Sequence, residues 1–291
     1  MLQLASKTLS DAAQNHLNDL QKQIDDIHNF AAKVAKAQKL WKDKESTKIG
    51  EKTFAEIKTI LTEMTVSANA CNYCEHNEAN DIEHIAPKSV FPELTFVWQN
   101  YLLACKQCNT AHKSDKCHVM DNAGKVYEII RGSGKSPHQR IALINPRIEN
   151  PTNFILINTS DYRFEIFEDI AVFDKNKAEK TLEILRLNDR IELKKARKSF
   201  AKYFYDRLER LSRIVNAKAI NEINAALTPH DDLIDSTKSI HILKKELIAT
   251  FKKDIQTQPH PSVWYAIKMV DSKTNDKWKI LFENIPEALD W

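Results

Sequence analysis

Hydrophobic positions follow a helical period at both ends of the chain, with a shorter, irregular texture between. From Asp11 to Trp41, the residues Ala13, Leu17, Leu20, Ile24, Ile27, Ala31 and Val34 recur at alternating steps of four and three. That spacing predicts one long helix with a narrow apolar stripe close to a coiled-coil seam. The stripe packs either on the protein's own core, the favoured reading, or against a partner or a second copy of the chain, which would make residues 1–66 a docking or self-association region. Ser10 before Asp11 suits a helix N-terminus. Gly50 then punctuates. Thr53 and Glu56 form a capping-box pattern ahead of Phe54, Ile57, Leu61 and Met64, which predicts a second helix.

The period returns from Lys175 to Lys218, where Leu193, Ala196, Phe200, Phe204, Leu208, Leu211 and Val215 share one face. A polar break at Pro229–Ser236 precedes a further helix marked by Ile240, Leu243, Leu247 and Phe251, and Trp264, Trp278 and Trp291 read as packed core. Phe154–Asn158 and Arg163–Phe167 carry strand-type residues near the turn signals Asn145-Pro146 and Asn150-Pro151. The pattern predicts a mainly α protein with a small embedded module, α+β overall. Its expected segments are a helical region at 1–66, the module at 67–120, a linker with short strands at 121–173 and a second helical region at 174–291.

Composition adds exclusions. The 291 residues are 42% hydrophobic and 29% charged, as in soluble globular proteins. Only four glycines, Gly50, Gly124, Gly132 and Gly134, argue against a barrel or propeller. No apolar run approaches the ~18 residues of a membrane span, and Met1–Ser10 lacks the apolar centre of a signal peptide, so a cytoplasmic protein is expected. The net charge of +3 excludes a polycation, and any nucleic-acid surface must come from local clustering. Such a cluster occurs at Lys175–Lys218, where 14 Lys/Arg stand against 6 Asp/Glu, a local net of +8. Lys194, Lys195, Arg197 and Lys198 are its candidate phosphate contacts, the alternative being a solvated helix face.

The chemistry is concentrated in residues 71–120. Cys71-Asn72-Tyr73-Cys74 and Cys105-Lys106-Gln107-Cys108 repeat one spacing, and two such pairs complete a tetrahedral four-cysteine zinc site of the structural type. The fifth cysteine, Cys117, reads as a free thiol. Between the pairs, Asp81-Ile82-Glu83-His84 reads as a strand ending before Pro87, with Asn100 further on and Asn109 directly after Cys108. Asn109, His112 and Lys113 share a face if that stretch is helical. Phosphodiester hydrolysis needs a divalent ion on the scissile phosphate, and Glu83 and Asn109 supply ligands suited to Mg²⁺ or Mn²⁺. It needs a neutral imidazole to take a proton from water, which His84 provides. It also needs that imidazole aimed, which a side-chain amide such as Asn100 can do. One tension stands: neighbours on a regular strand point to opposite faces, so Glu83 and His84 share a site only where the strand ends. Gly132-Ser-Gly134-Lys135-Ser136 fails as a phosphate loop because Ile129 stands where its first glycine belongs.

Taken together, Cys71-x-x-Cys74, Asp81-Ile-Glu83-His84-Ile-x-Pro87-Lys88-Ser89, Trp98-x-Asn100 and Cys105-x-x-Cys108-Asn109-x-x-x-Lys113 resemble the HNH endonucleases. The likeness is to the PtuB-like branch that accompanies retrons and Septu antiphage systems. It covers about 45 residues and continues weakly through Ile144-Asn145-Pro146 and Thr181–Arg190. The resemblance implies a ββα-metal site with His84 as general base, Glu83 and Asn109 as ligands of the catalytic ion, and Asn100 orienting the His-bearing loop. The chain departs from the His-Asn-His pattern by placing Asn109 third, which leaves His112 as a further ligand or phosphate contact. Lys88 and Lys113, inside the matched run, join the candidate nucleic-acid contacts. The resemblance also implies an ATPase partner, a role in antiphage defence and DNA as substrate, with RNA, including tRNA, the alternative. A non-catalytic zinc-knuckle binding module is the rival class.

Overall fold

The expected long N-terminal helix is two helices. In the computed structural model, which describes residues 1–67, 69–229, 231 and 234–291, α1 (Asp11–Asp25) stops at Asp26 and α2 (Phe30–Lys42) restarts behind Asn29. The Asn29 side chain accepts from the Ala32 amide at 3.0 Å and gives the chain a fresh N-terminus in the middle of the apolar stripe. A period of hydrophobic residues carries no information about such a break. Ala13, Leu17 and Ile24 of α1 are buried, so that half of the stripe meets the protein's own core.

The next helix, α3 (Lys48–Glu63), starts earlier than the capping-box pattern predicts, and Thr53 is buried inside it. Thr47 is the cap, accepting from the Gly50 amide at 3.1 Å. Glu56 is occupied elsewhere: its carboxylate accepts from the backbone amide and hydroxyl of Ser10 at 2.6 and 2.8 Å, tying the start of α1 to α3. Gly50 sits in the first turn of α3, and a Cβ built there would lie 2.1 Å from the backbone oxygen of Lys44. Helix propensity alone says that Gly50→Ala stabilises by about 1 kcal/mol. The clash with a backbone atom reverses the sign, so we expect a loss of about 1–3 kcal/mol, read as a lower urea midpoint.

Two antiparallel strands, β1 (Asp81–His84) and β2 (Tyr101–Ala104), pair with Glu83 opposite Leu102 and His84 opposite Tyr101. A π-helical turn, Gln107–Lys113, follows. Beyond it the chain does not run as a linker. β3 (Cys117–Met120), β4 (Val126–Ile129) and β5 (Arg140–Ile141) form a three-stranded sheet in the order β4-β3-β5. Strands this short, one of them reading Cys-His-Val-Met, give little alternation to detect. β6 (Ile155–Ile157) and β7 (Phe164–Ile166) fall within the two stretches expected to be strands. The helical period from Lys175 breaks at Arg186, which takes a left-handed φ of 51°, into α4 (Val172–Ile184) and α5 (Ile191–Asn216).

Contacts divide the chain into two units. The first holds residues 1–156 and 164–190, and the second holds 157–163 and 191–291. The expected segments 1–66 and 67–120 therefore fold together with most of 121–173. In the second unit, Leu193, Phe204, Leu208 and Leu211 of α5 are buried, as are Trp264, Trp278 and Trp291. Much of the basic excess around α5 is committed internally. Arg207 pairs with Asp231 and Asp254, and Arg210 with Asp231. Of the polar break expected at Pro229–Ser236, residues 230, 232 and 233 lie outside the described residues. Among the described residues no helix is long and apolar enough to cross a membrane.

Candidate active site and metal centres

The four Sγ atoms of Cys71, Cys74, Cys105 and Cys108 lie within 4.8 Å of one another, all buried. Cys74 and Cys105 are 3.9 Å apart. Zn–S bonds of about 2.3 Å in a tetrahedron place sulfurs roughly 3.8 Å apart, so the residues fit a zinc ion held by four thiolates. Backbone turns shape the cradle: the Cys71 amide donates to Asn77 O at 2.8 Å, and the Cys108 amide points at Cys105 Sγ at 3.4 Å. Four thiolates outweigh the charge of one zinc ion, and Arg190, buried with its Nη2 3.6 Å from Cys108 Sγ, offsets part of the negative excess. The knuckle brackets β1 and β2, because Cys74 precedes the pair and Cys105 follows Ala104 directly.

The catalytic candidates converge at the end of that hairpin. A cleft of about 200 Å³ is lined by Glu83, His84 and Asn109, with Trp41, Lys88 and Lys113 around them. Pro87 ends the strand just beyond, which is how neighbouring Glu83 and His84 reach one cavity. The His84 ring is buried against Trp41, with ring centroids 4.2 Å apart, and against Tyr101 at 5.2 Å. Its Nε2 lies 2.9 Å from Thr95 O. A carbonyl only accepts, so Nε2 carries the hydrogen and Nδ1 keeps the lone pair. Burial first, then the Lys88 charge, push the imidazole down to about 3, which leaves it neutral at physiological pH.

Asn100 does not line this cleft. Its Oδ1 accepts from the Ala86 amide at 2.7 Å, and its Nδ2 donates to Ala86 O at 3.0 Å and Leu94 O at 2.9 Å. Those bonds fasten both ends of the loop between β1 and Thr95, the residue that holds His84.

The π-helical turn changes the expected face. With a bond from the Ser114 amide to Asn109 O at 2.6 Å, Asn109 and Lys113 both line the cleft while His112 does not. The Asn109 Nδ2 donates to Asp81 Oδ2 at 3.3 Å, which leaves its Oδ1 for a cation. Lys113, expected at a phosphate, is instead 2% exposed, paired with Glu83 and donating to His84 O at 2.8 Å. Burial raises the Glu83 carboxyl, and the Lys113 charge opposes that shift. Arg197, also expected at a phosphate, is 1% exposed and donates to Tyr162 O at 2.9 Å. Lys195 and Lys198 are exposed and Lys194 is half-buried, all on α5 of the second unit. Cys117 is buried with Ala86, Val90, Phe91 and Val119, and burial pushes its thiol up to about 11.

Sequence reasoning missed Trp41, Asp81 and Arg190 as parts of these sites. Asp81 stood inside the motif. Arg190 ended the weaker run from Thr181, whose hydroxyl accepts from the Ile144 amide at 2.8 Å, and whose Asn188 bonds both backbone groups of Phe164. Trp41 carried no signal, because it arrives from a different helix.

A β-hairpin followed by a helical turn, closed by a four-cysteine cluster and presenting Glu-His with Asn, has the elements of a ββα-metal site, and the chain resembles an HNH nuclease of the PtuB kind. The family model for HNH endonuclease matches residues 71–115. The chain is 25% identical over 210 residues to the Septu protein PtuB of Bacillus thuringiensis, covering 70% of this chain and 63% of that protein. It is 24% identical over 148 residues to the Septu protein PtuB of Bacillus mycoides (strain KBAB4), covering 43% and 49% respectively. The chain thus matches under two thirds of the length of these relatives. No solved structure matches.

Proposed function

We propose that this chain is a metal-dependent endonuclease that hydrolyses phosphodiester bonds, preferentially in DNA, as the nuclease of an antiphage system with an ATPase partner. The observation that carries the reading is the single cleft that brings Glu83, His84 and Asn109 together beside the four-cysteine cluster. Glu83 and Asn109 would hold a divalent ion such as Mg²⁺ or Mn²⁺, which when bound supplies positive charge against the phosphate. His84 Nδ1 accepts the proton of the attacking water. Thr95 O fixes the tautomer, and Asn100 holds the loop that presents Thr95. Lys113 stabilises the strand end by bonding His84 O and balances the Glu83 charge. DNA and the defence role are carried by likeness to the PtuB relatives, and RNA is tested beside DNA.

The test is cleavage of plasmid DNA and of total RNA with Mg²⁺ or Mn²⁺, using the chain alone and copurified with a candidate ATPase partner, with Glu83→Gln as control. Plasmid cleavage lost in Glu83→Gln supports the reading. Cleavage of RNA alone moves the substrate, and no cleavage of either polymer with the partner present refutes it.

A further inference from the structure

We propose that the end of α2 and the turn after it form a duplex-DNA docking wall on the catalytic cleft, in which Lys44 and Lys88 grip backbone phosphates flanking the scissile one and Trp41 anchors both. This rests on the nuclease reading and deepens it by naming how the substrate is held.

Trp41 belongs to α2 yet lines the same cleft as Glu83, His84 and Asn109. Its ring is fixed by Phe54 at 5.6 Å, Phe96 at 5.9 Å and Tyr101 at 5.6 Å, as well as by His84. Lys44 Nζ lies 5.1 Å from that ring and Lys88 Nζ 5.8 Å from it. Two ammonium groups from distant parts of the chain thus converge on one aromatic beside the catalytic histidine. Cation–π attraction to the ring explains where they rest.

What they lack is a dedicated counter-charge: Glu83 and Asp115 offset part of the Lys88 charge, but Glu83 is paired with Lys113 and Asp115 with Arg131. The one carboxylate within ion-pair range of Lys44 among the described residues is its neighbour Glu45, at 3.8 Å, and Lys88 has none. Asp115, in the same cleft, is paired with Arg131 at 3.1 Å. Nor are the two ammoniums fully solvated: the Lys44 side chain is 20% exposed and Lys88 is half-buried. Like charges gathered and partly desolvated are unfavourable until an anion meets them. α2 extends the same sign, carrying Lys33, Lys36, Lys39 and Lys42 and no acid. Lys39 and Lys42 have a simpler explanation, since they complement the helix dipole in the last turn. The pair over Trp41 does not. A polyanion with regularly spaced charges that must also place one phosphate at His84 fits this arrangement.

The experiment measures binding of the full chain, purified with its zinc, to a labelled DNA duplex with no Mg²⁺ or Mn²⁺ added, across salt concentration, so that no cleavage is required. Each phosphate contact contributes about 0.9 to the slope of log K against log salt. Lys44→Gln and Lys88→Gln should each flatten the slope by about 0.9, and the double variant by about twice that. Trp41→Ala should reproduce the double variant, and Trp41→Phe should retain most of the wild-type slope. Lys22→Gln, whose native lysine is paired with Asp26, should change nothing. Melting curves confirm that each variant is folded. Unchanged slopes in folded Lys44 and Lys88 variants overturn the proposal even if the enzyme cleaves DNA. So does a flattening seen only with RNA. Flattened slopes in a protein that cleaves nothing would sustain the docking wall and sink the nuclease reading instead.

Discussion

His84→Ala is expected to lower phosphodiester cleavage by about 10²–10⁴-fold, the usual contribution of a positioned general base, while bound zinc stays unchanged. The separation follows from geometry. His84 is no part of the four-cysteine cluster, yet its Nδ1 is the one imidazole lone pair left after Nε2 is committed to Thr95 O. The substitution also has a structural cost. Removing a ring packed on Trp41 and Tyr101 leaves a cavity costing about 2–4 kcal/mol, though Thr95 O keeps the Tyr101 hydroxyl at 2.6 Å. His84→Asn, which fills more of the site but takes no proton near neutrality, separates the two effects: both variants should be inactive, and the Asn variant should melt closer to wild type. Cleavage by either within a few-fold of wild type would remove His84 from the mechanism.

Acid stability gives a second signature. Burial holds the folded His84 near 3, below an unfolded value of about 6.5. The unfolded chain therefore binds the extra proton first as pH falls. The stabilising effect of the neutral imidazole is fully present above about pH 6.5 and is lost on the way down to about 3. Wild-type stability should fall across that window by up to one proton's slope more than that of His84→Ala. The same burial makes His84 a weak base in the free protein. A phosphate placed against Lys88 would cancel part of the charge that suppresses it, so substrate binding and base strength are coupled.

The candidate site was legible because its information is local. Ligand spacing in Cys71-x-x-Cys74 and Cys105-x-x-Cys108 is a property of tight turns, and Glu83-His84 lies at the end of one short strand. What escaped was set by contacts across the chain. Nothing near Trp41 announces that α2 delivers it to His84, and the break before Asn29 that lets α2 do so is invisible to a hydrophobic period. Charge shows the limit clearly. The excess at Lys175–Lys218 can be counted, but its use cannot: Arg190 faces the four-cysteine cluster, Arg197 the Tyr162 carbonyl, and Arg207 and Arg210 pair with Asp231. Lys113 is the same case within the motif, a lysine expected at phosphate that a π-helical turn draws inward to Glu83.

Cys105→Ser should lose zinc and stable folding together, and with them all cleavage. A structural zinc contributes apparent binding free energy of about 10–16 kcal/mol in small metal-folded domains, comparable with the roughly 5–15 kcal/mol total stability of an ordinary domain. Cys105 is the sensitive position because it follows β2 directly and also accepts the amide of Cys108. Asn109 comes next in the chain. Losing the ion releases the end of the hairpin and the π-helical turn at once, so Glu83, His84 and Asn109 no longer share a cleft. Zinc per chain, the melting transition and cleavage should therefore fall in step. Cys117→Ser is the matched comparison. That thiol is just as buried, among Val90, Phe91 and Val119, but lies outside the cluster. Placing a hydroxyl there costs about 1–3 kcal/mol and should leave zinc and cleavage in place. Two outcomes would refute the structural role: a zinc-free Cys105→Ser protein that melts like wild type, or a Cys117→Ser protein that loses its zinc while Cys105→Ser keeps it.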